Sequence, residues 1–153
     1  MRNHYAENVD LRTHDVRAAD SDGLVLEGYA AVYDQQTDIG GMFKETISRG
    51  AFDDVMENDV RLLLNHEGAP MARTTNGTLS LSSDEHGLKY RAELVDTQAS
   101  RDLYTMIKRG DISQSSFAFI VGEQDINDRG DRTVRKVSNL LDVSPVTYPA
   151  YPT

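Results

Sequence analysis

Polar and apolar residues alternate along most of this chain with a period of two, the pattern of strands that bury one face. From His14 the alternation falls into short runs separated by turn chemistry. Val16 and Ala18 alternate with polar neighbours up to Asp20-Ser21-Asp22-Gly23, where Asp-Gly supplies the positive φ of a tight hairpin. Residues 24–33 form the return strand, residues 34–42 with Gly40-Gly41 a loop, and residues 43–47 a short strand. Residues 60–65 make a strongly apolar strand that runs into loop-forming His66-Glu67-Gly68-Ala69-Pro70. Residues 78–82 and 88–94 alternate cleanly around a second hairpin signal, Asp84-Glu85-His86-Gly87. A third turn, residues 127–131, is followed by strands over 132–137 and 140–146.

Two segments switch to helical spacing. Phe52, Val55 and Met56 stand at i, i+3 and i+4, predicting a short helix. Asp96-Thr97 is a good N-cap for a helix running to about Arg109, with Leu103, Met106 and Ile107 as its apolar stripe and Tyr104 beside it. Lys108 and Arg109 suit the negative end of its dipole, and Gly110 its C-terminus. The expected fold is therefore mainly β with peripheral helices. Short strands and regular hairpins favour a closed or nearly closed antiparallel β-barrel. Residues 1–13 are polar and read as a mobile N-terminal arm, leaving residues 14–153 as a single domain.

Length supports this picture, because 153 residues suffice to bury a core. The formal net charge of -9 has no basic stripe against it, which argues against nucleic-acid binding. It suits a partner with basic segments and, equally, simple solubility. The absence of cysteine excludes disulfides, thiolate metal sites and a cysteine nucleophile. No apolar run approaches the roughly 20 residues that span a bilayer. The first ten residues hold no apolar signal segment, so an intracellular, membrane-free protein is expected.

The most informative stretch follows the helix: Asp111-Ile112-Ser113-Gln114-Ser115-Ser116-Phe117-Ala118-Phe119-Ile120. As a strand it places Ser115, Phe117, Phe119 and Val121 on a core face and Ser116, Ala118 and Ile120 on the other. Ser116 then stands beside a single methyl group on a rigid element, with room for a reactant. A nucleophilic serine needs a base and an orienting group. Of four histidines, His4 falls in the arm, while His14 at a strand edge and His86 at a hairpin tip read as solvated. His66 ends a buried strand facing a loop, a common place for reactive groups, and its ordinary pKa suits a general base. A histidine capping loop backbone is the plain alternative. No histidine follows His86, so a late third member must be an acid. Asp142, in the apolar Leu140–Val146 run, is the best candidate, because a buried carboxylate needs partners. By strict alternation it shares a face with Leu140, Ser144 and Val146. Glu123, Asp125 and Glu67 are weaker candidates. Histidine–carboxylate metal spacing, phosphate-binding glycine loops and the Gly-x-Ser-x-Gly elbow are all missing, so no metal or cofactor is expected.

From about Leu24 onward the ordered segments resemble the prohead maturation proteases of tailed bacteriophages, relatives in fold of the herpesvirus assembly proteases. The matching segments are Gly28-Tyr29-Ala30-Ala31-Val32-Tyr33, Ile47-Ser48-Arg49-Gly50-Ala51-Phe52, Leu63-Leu64-Asn65-His66, Gly77-Thr78-Leu79, Arg109-Gly110-Asp111-Ile112-Ser113, Ser116-Phe117-Ala118-Phe119 and Val143-Ser144-Pro145-Val146-Thr147-Tyr148-Pro149-Ala150-Tyr151. Their order and spacing carry the resemblance. It implies a β-barrel of the herpesvirus-protease type with His66 as base and Ser116 as nucleophile. The acid before Val-Ser-Pro-Val, usually Glu and here Asp142, is the implied third member. Where relatives have Met-Ser-Phe-Gly-Phe, this chain has Ser115-Ser116-Phe117-Ala118-Phe119, which leaves Ser115 and Ser113 as rival registers. The resemblance implies a serine endopeptidase acting inside a phage procapsid in the host cytoplasm. Its substrates would be the scaffolding portion of the major capsid protein and the protease itself, and a homo-oligomer is compatible with that role. The alternatives are a non-catalytic capsid-assembly or scaffold-binding module and a small hydrolase of non-peptide substrates.

Overall fold

The two longest strands lie late in the chain and organise the rest. In the computed structural model, which describes residues 8–148, β9 (Gln114–Ile126) and β10 (Arg132–Val146) pair antiparallel along nearly their whole length. On its other side β9 pairs with β1 (Val9–Ala18), which continues to β2 (Val25–Val32), β8 (Gly87–Glu93) and β7 (Leu79–Ser83). β10 carries β4 (Phe43–Ile47), and β4 carries β3 (Thr37–Ile39). Off this path, β5 (Arg61–Leu64) pairs with β10 and with β6 (Glu67–Arg73). The helix α1 (Gln98–Arg109) and two single 3-10 turns, Asp53–Val55 and Thr74–Asn76, complete the described elements.

The fold is mainly β, as the alternation predicts, but the closed or nearly closed antiparallel barrel is not what forms. The strand path has two ends, β3 and β7, which no ladder joins. The far edge of β10 is occupied instead. It takes β4 and β5 in parallel, and between them Val137 N donates to Ala51 O and Leu140 N to Asn58 Oδ1. Those parallel pairings join segments far apart in sequence, and local alternation carries no trace of them.

The arm expected over residues 1–13 is corrected from Val9 onward; residues 1–7 lie outside the described residues. Val9, Leu11 and Thr13 do alternate, but Arg12 between them makes the run look polar. Arg12 is buried, donating through Nε to Glu45 Oε2 at 3.0 Å, with Arg132 on the same oxygen at 3.0 Å. Shared neutralisation of this kind is what allows such charges indoors.

One face of the sheet wraps the main core, which includes Leu26, Phe52, Tyr90, Leu103, Phe117, Phe119 and Leu140. Helix α1 seals it with Leu103 and Ile107, its N-terminus capped by Thr97 accepting from Ser100 N and its C-terminus by Gly110 at φ 99. Strands β1, β2 and β8 pack so closely that a Cβ on Gly28 would stand 2.6 Å from Asp15 O. The opposite face carries a smaller apolar cluster of Val9, Leu11 and Ala118, with Ile120 and Leu141 against it. Among the described residues no helix is long and apolar enough to cross a membrane.

Candidate active site

The β5–β6 connection is a two-residue turn. Leu64 pairs with Glu67, and both intervening residues, Asn65 at φ 55 and His66 at φ 60, are left-handed. Positive φ at both central positions is the type I′ signature, which matches strand twist and closes hairpins tightly. The loop expected over residues 66–70 is therefore mostly strand: β6 starts at Glu67. Left-handed backbone costs a non-glycine residue about 1–2 kcal/mol, less for Asn. Asn65 offsets this with hydrogen bonds to the end of β10. Its N donates to Pro145 O at 3.0 Å, its Oδ1 accepts from Thr147 N at 2.9 Å, and its Nδ2 donates to Thr147 Oγ1 at 3.2 Å.

That clamp aims His66 back at β10. His66 Nδ1 donates to Asp142 Oδ1 at 2.6 Å, and both side chains are buried. The same carboxylate oxygen accepts from Ser144 Oγ at 2.9 Å. Asp142 reaches this position through a β-bulge. Leu140 pairs with Phe119 and Asp142 with Ala118, so Leu141 is an extra residue. Leu140 consequently faces the main core and Asp142 the opposite side, correcting the expectation that the two share a face.

Ser116 lies on the same side as Asp142. On β9 it is flanked by Thr13 of β1 and Ser144 of β10, each directly across from it. It is a diagonal neighbour of Asp142, a relation that puts Cα atoms about 7–8 Å apart. Ser116 is fully buried, and its Oγ has no hydrogen-bond partner among the described residues. The rival registers fall elsewhere: Ser115 points into the main core, where its Oγ accepts from Tyr90 Oη at 2.8 Å, and Ser113 is exposed. Burial pushes the Tyr90 phenol well above its ordinary pKa, so it stays a donor.

The other candidates are not brought in. Glu123 and Asp125 are exposed and ion-paired with Arg135, and Glu67 is exposed. His86 is exposed at its hairpin tip, and His4 lies outside the described residues. His14 is not solvated. It is half-buried and stacked on Phe117, and burial pushes its pKa down to about 4. Among the described residues no group of three or more His, Asp or Glu side chains could hold a metal ion. An open groove of about 710 Å³ runs past His66 and Asp142, lined also by Arg61, Leu63, Glu67 and Leu141.

Sequence reasoning missed Asn65 and Ser144 as parts of this constellation. A signal existed for each: Asn is the residue that best tolerates left-handed backbone after an apolar strand, and Ser144 lies two positions from Asp142.

A histidine held by a buried carboxylate stands beside a sheet face that carries a buried serine. The family model for the caudovirus prohead serine protease matches residues 8–153. The chain belongs to that family. This prohead protease is thus a serine peptidase of phage capsid maturation, and the non-catalytic module is not favoured. Its fold is similar to the solved structure of the bacteriophage T4 capsid assembly protease, gp21, with a TM-score of 0.59 at 14% identity, over 93% of this chain and 98% of that one. No curated protein matches the sequence.

Proposed function

We propose that this prohead protease cleaves peptide bonds with Ser116 as nucleophile, His66 as general base and acid, and Asp142 as the group that orients His66. The observation that carries the reading is the buried Nδ1–Oδ1 contact of 2.6 Å between His66 and Asp142, on the side of the sheet to which Ser116 belongs. With the proton held on Nδ1, the distal Nε2 is left as the base. Ser116 Oγ attacks the scissile carbonyl carbon as its proton passes to Nε2. The tetrahedral intermediate collapses, the C–N bond breaks, and the proton moves from His66 to the leaving amine. Water, deprotonated by His66, then hydrolyses the acyl-enzyme and returns Ser116.

The substrates are the scaffolding portion of the major capsid protein and the protease itself, and the place of action is the interior of the procapsid. Confinement there supplies high effective concentration, so a modest catalyst suffices. Replacing Ser116→Ala and following capsid-protein cleavage tests the reading. Cleavage should be lost, together with labelling of the residue by a fluorophosphonate probe in assembled proheads. Cleavage persisting at the parent rate would falsify the nucleophile assignment.

A further inference from the structure

We infer that Ser144 is a positioning residue for this proteolysis, holding Asp142 so that Asp142 can hold His66. The inference rests on the reading of Ser116, His66 and Asp142 given above. Ser144 is fully buried on β10, and a buried hydroxyl is costly unless its donor is used. Its Oγ–H goes to Asp142 Oδ1 at 2.9 Å, the oxygen that also accepts from His66 at 2.6 Å. One carboxylate oxygen thus receives two donors. Two donors together fix the carboxylate's rotation as one would not.

The backbone prepares this geometry. Pro145 restricts the residue before it to extended conformations, which keeps Ser144 in the strand. Ser144 and Asp142 are two apart on a stretch where the ladder is regular, from Asp142 against Ala118 to Ser144 against Ser116. Their side chains therefore project from the same face. Ser144 is also the residue directly across from the nucleophile, so it ties the acid's orientation to the position of Ser116.

The test compares Ser144→Ala, Ser144→Thr and Ser116→Ala in the full chain with capsid protein as substrate. Ser144→Ala should lower kcat about tenfold with KM nearly unchanged, the scale of one hydrogen bond to a charged group. Ser144→Thr keeps the hydroxyl and should restore kcat. An unchanged kcat, or a loss that Ser144→Thr does not restore, overturns the inference. A second readout does not need cleavage. In the Ser116→Ala background, the downfield Nδ1 proton resonance of His66 should broaden or shift when Ser144→Ala is added, and an unaltered resonance also overturns the inference. Cleavage surviving in Ser116→Ala alone would overturn the reading beneath it instead. Should Ser144→Ala fail to fold, Ser144→Cys preserves the volume with a weaker donor and carries the same expectations.

Discussion

His66 Nδ1 and Asp142 Oδ1 lie 2.6 Å apart although 76 positions separate them in the chain, and each side chain is at most 4% exposed. An amide in place of that carboxylate keeps the shape but not the acceptor-only character, so the imidazole loses its fixed tautomer. Asp142→Asn should retain the fold and lower kcat by about 10³–10⁴-fold. Steady-state cleavage of capsid protein, with far-UV circular dichroism as a folding control, measures this. A loss below tenfold would remove Asp142 from the site.

Adjacent serines should behave oppositely. Ser115→Ala strands the buried Tyr90 hydroxyl, whose acceptor is Ser115 Oγ at 2.8 Å. Urea melts should show a cost of about 1–3 kcal/mol, while cleavage stays near the parent rate. If Ser115→Ala instead abolished cleavage in a folded protein, the register of the site would be wrong.

Asn65 separates backbone strain from clamping. Asn65→Ala meets both losses, left-handed backbone at φ 55 and the Thr147 hydrogen bonds, and should cost about 2 kcal/mol or more. Asn65→Gly relieves the strain and should recover much of that stability. Neither variant restores the clamp, so kcat should remain depressed in both. Full activity in Asn65→Gly would show that the turn alone orients His66.

His14 makes stability depend on pH. Burial lowers its pKa from 6.5 to about 4, Asp15 opposing and His86 adding to the shift. Above pH 6.5 the imidazole is neutral folded or unfolded, and its contribution is fully present. As pH falls from 6.5 towards 4 the unfolded chain takes up a proton that the folded chain refuses, so stability declines. The shift corresponds to about 3 kcal/mol. His14→Phe, which keeps a ring against Phe117, should flatten this part of the profile. Urea melts at the two ends of the window, compared between parent and variant, read the difference.

Ser116 and His66 are both sealed, at 0% and 3% exposure, so a bulky reagent must wait for the site to open. Fluorophosphonate labelling of the isolated chain should therefore be slow and should accelerate when capsid protein is present. Equal rates in both conditions would mean that the site is already accessible.

Much of the local architecture was legible because it depends on neighbours in sequence. Phe43–Ile47 forms the strand its pattern implies, and α1 runs between its Thr97 cap and Gly110. What was not legible depends on distant partners. Arg12 disguises β1 as polar because its neutralising Glu45 is 33 residues away. β6 looked like loop because its first four residues are exposed. The sheet stays open with β3 and β7 as unjoined ends, and β10 takes parallel partners that no local period encodes. At the site, alternation sufficed for β9, where Ser115 and Ser116 do face opposite ways. It failed for Leu140 and Asp142, because counting by twos assumes no residue is spare.

That spare residue gives the last strand an uneven tolerance to codon loss. Removing Leu141 straightens the ladder yet leaves Leu140 opposite Phe119 and the acid opposite Ala118. Removing Val143, where the ladder has no slack, swings the acid into the aromatic interior while every other reactive group stays encoded. A scan of single-codon deletions along this strand should therefore show survival at one position and silence two positions later.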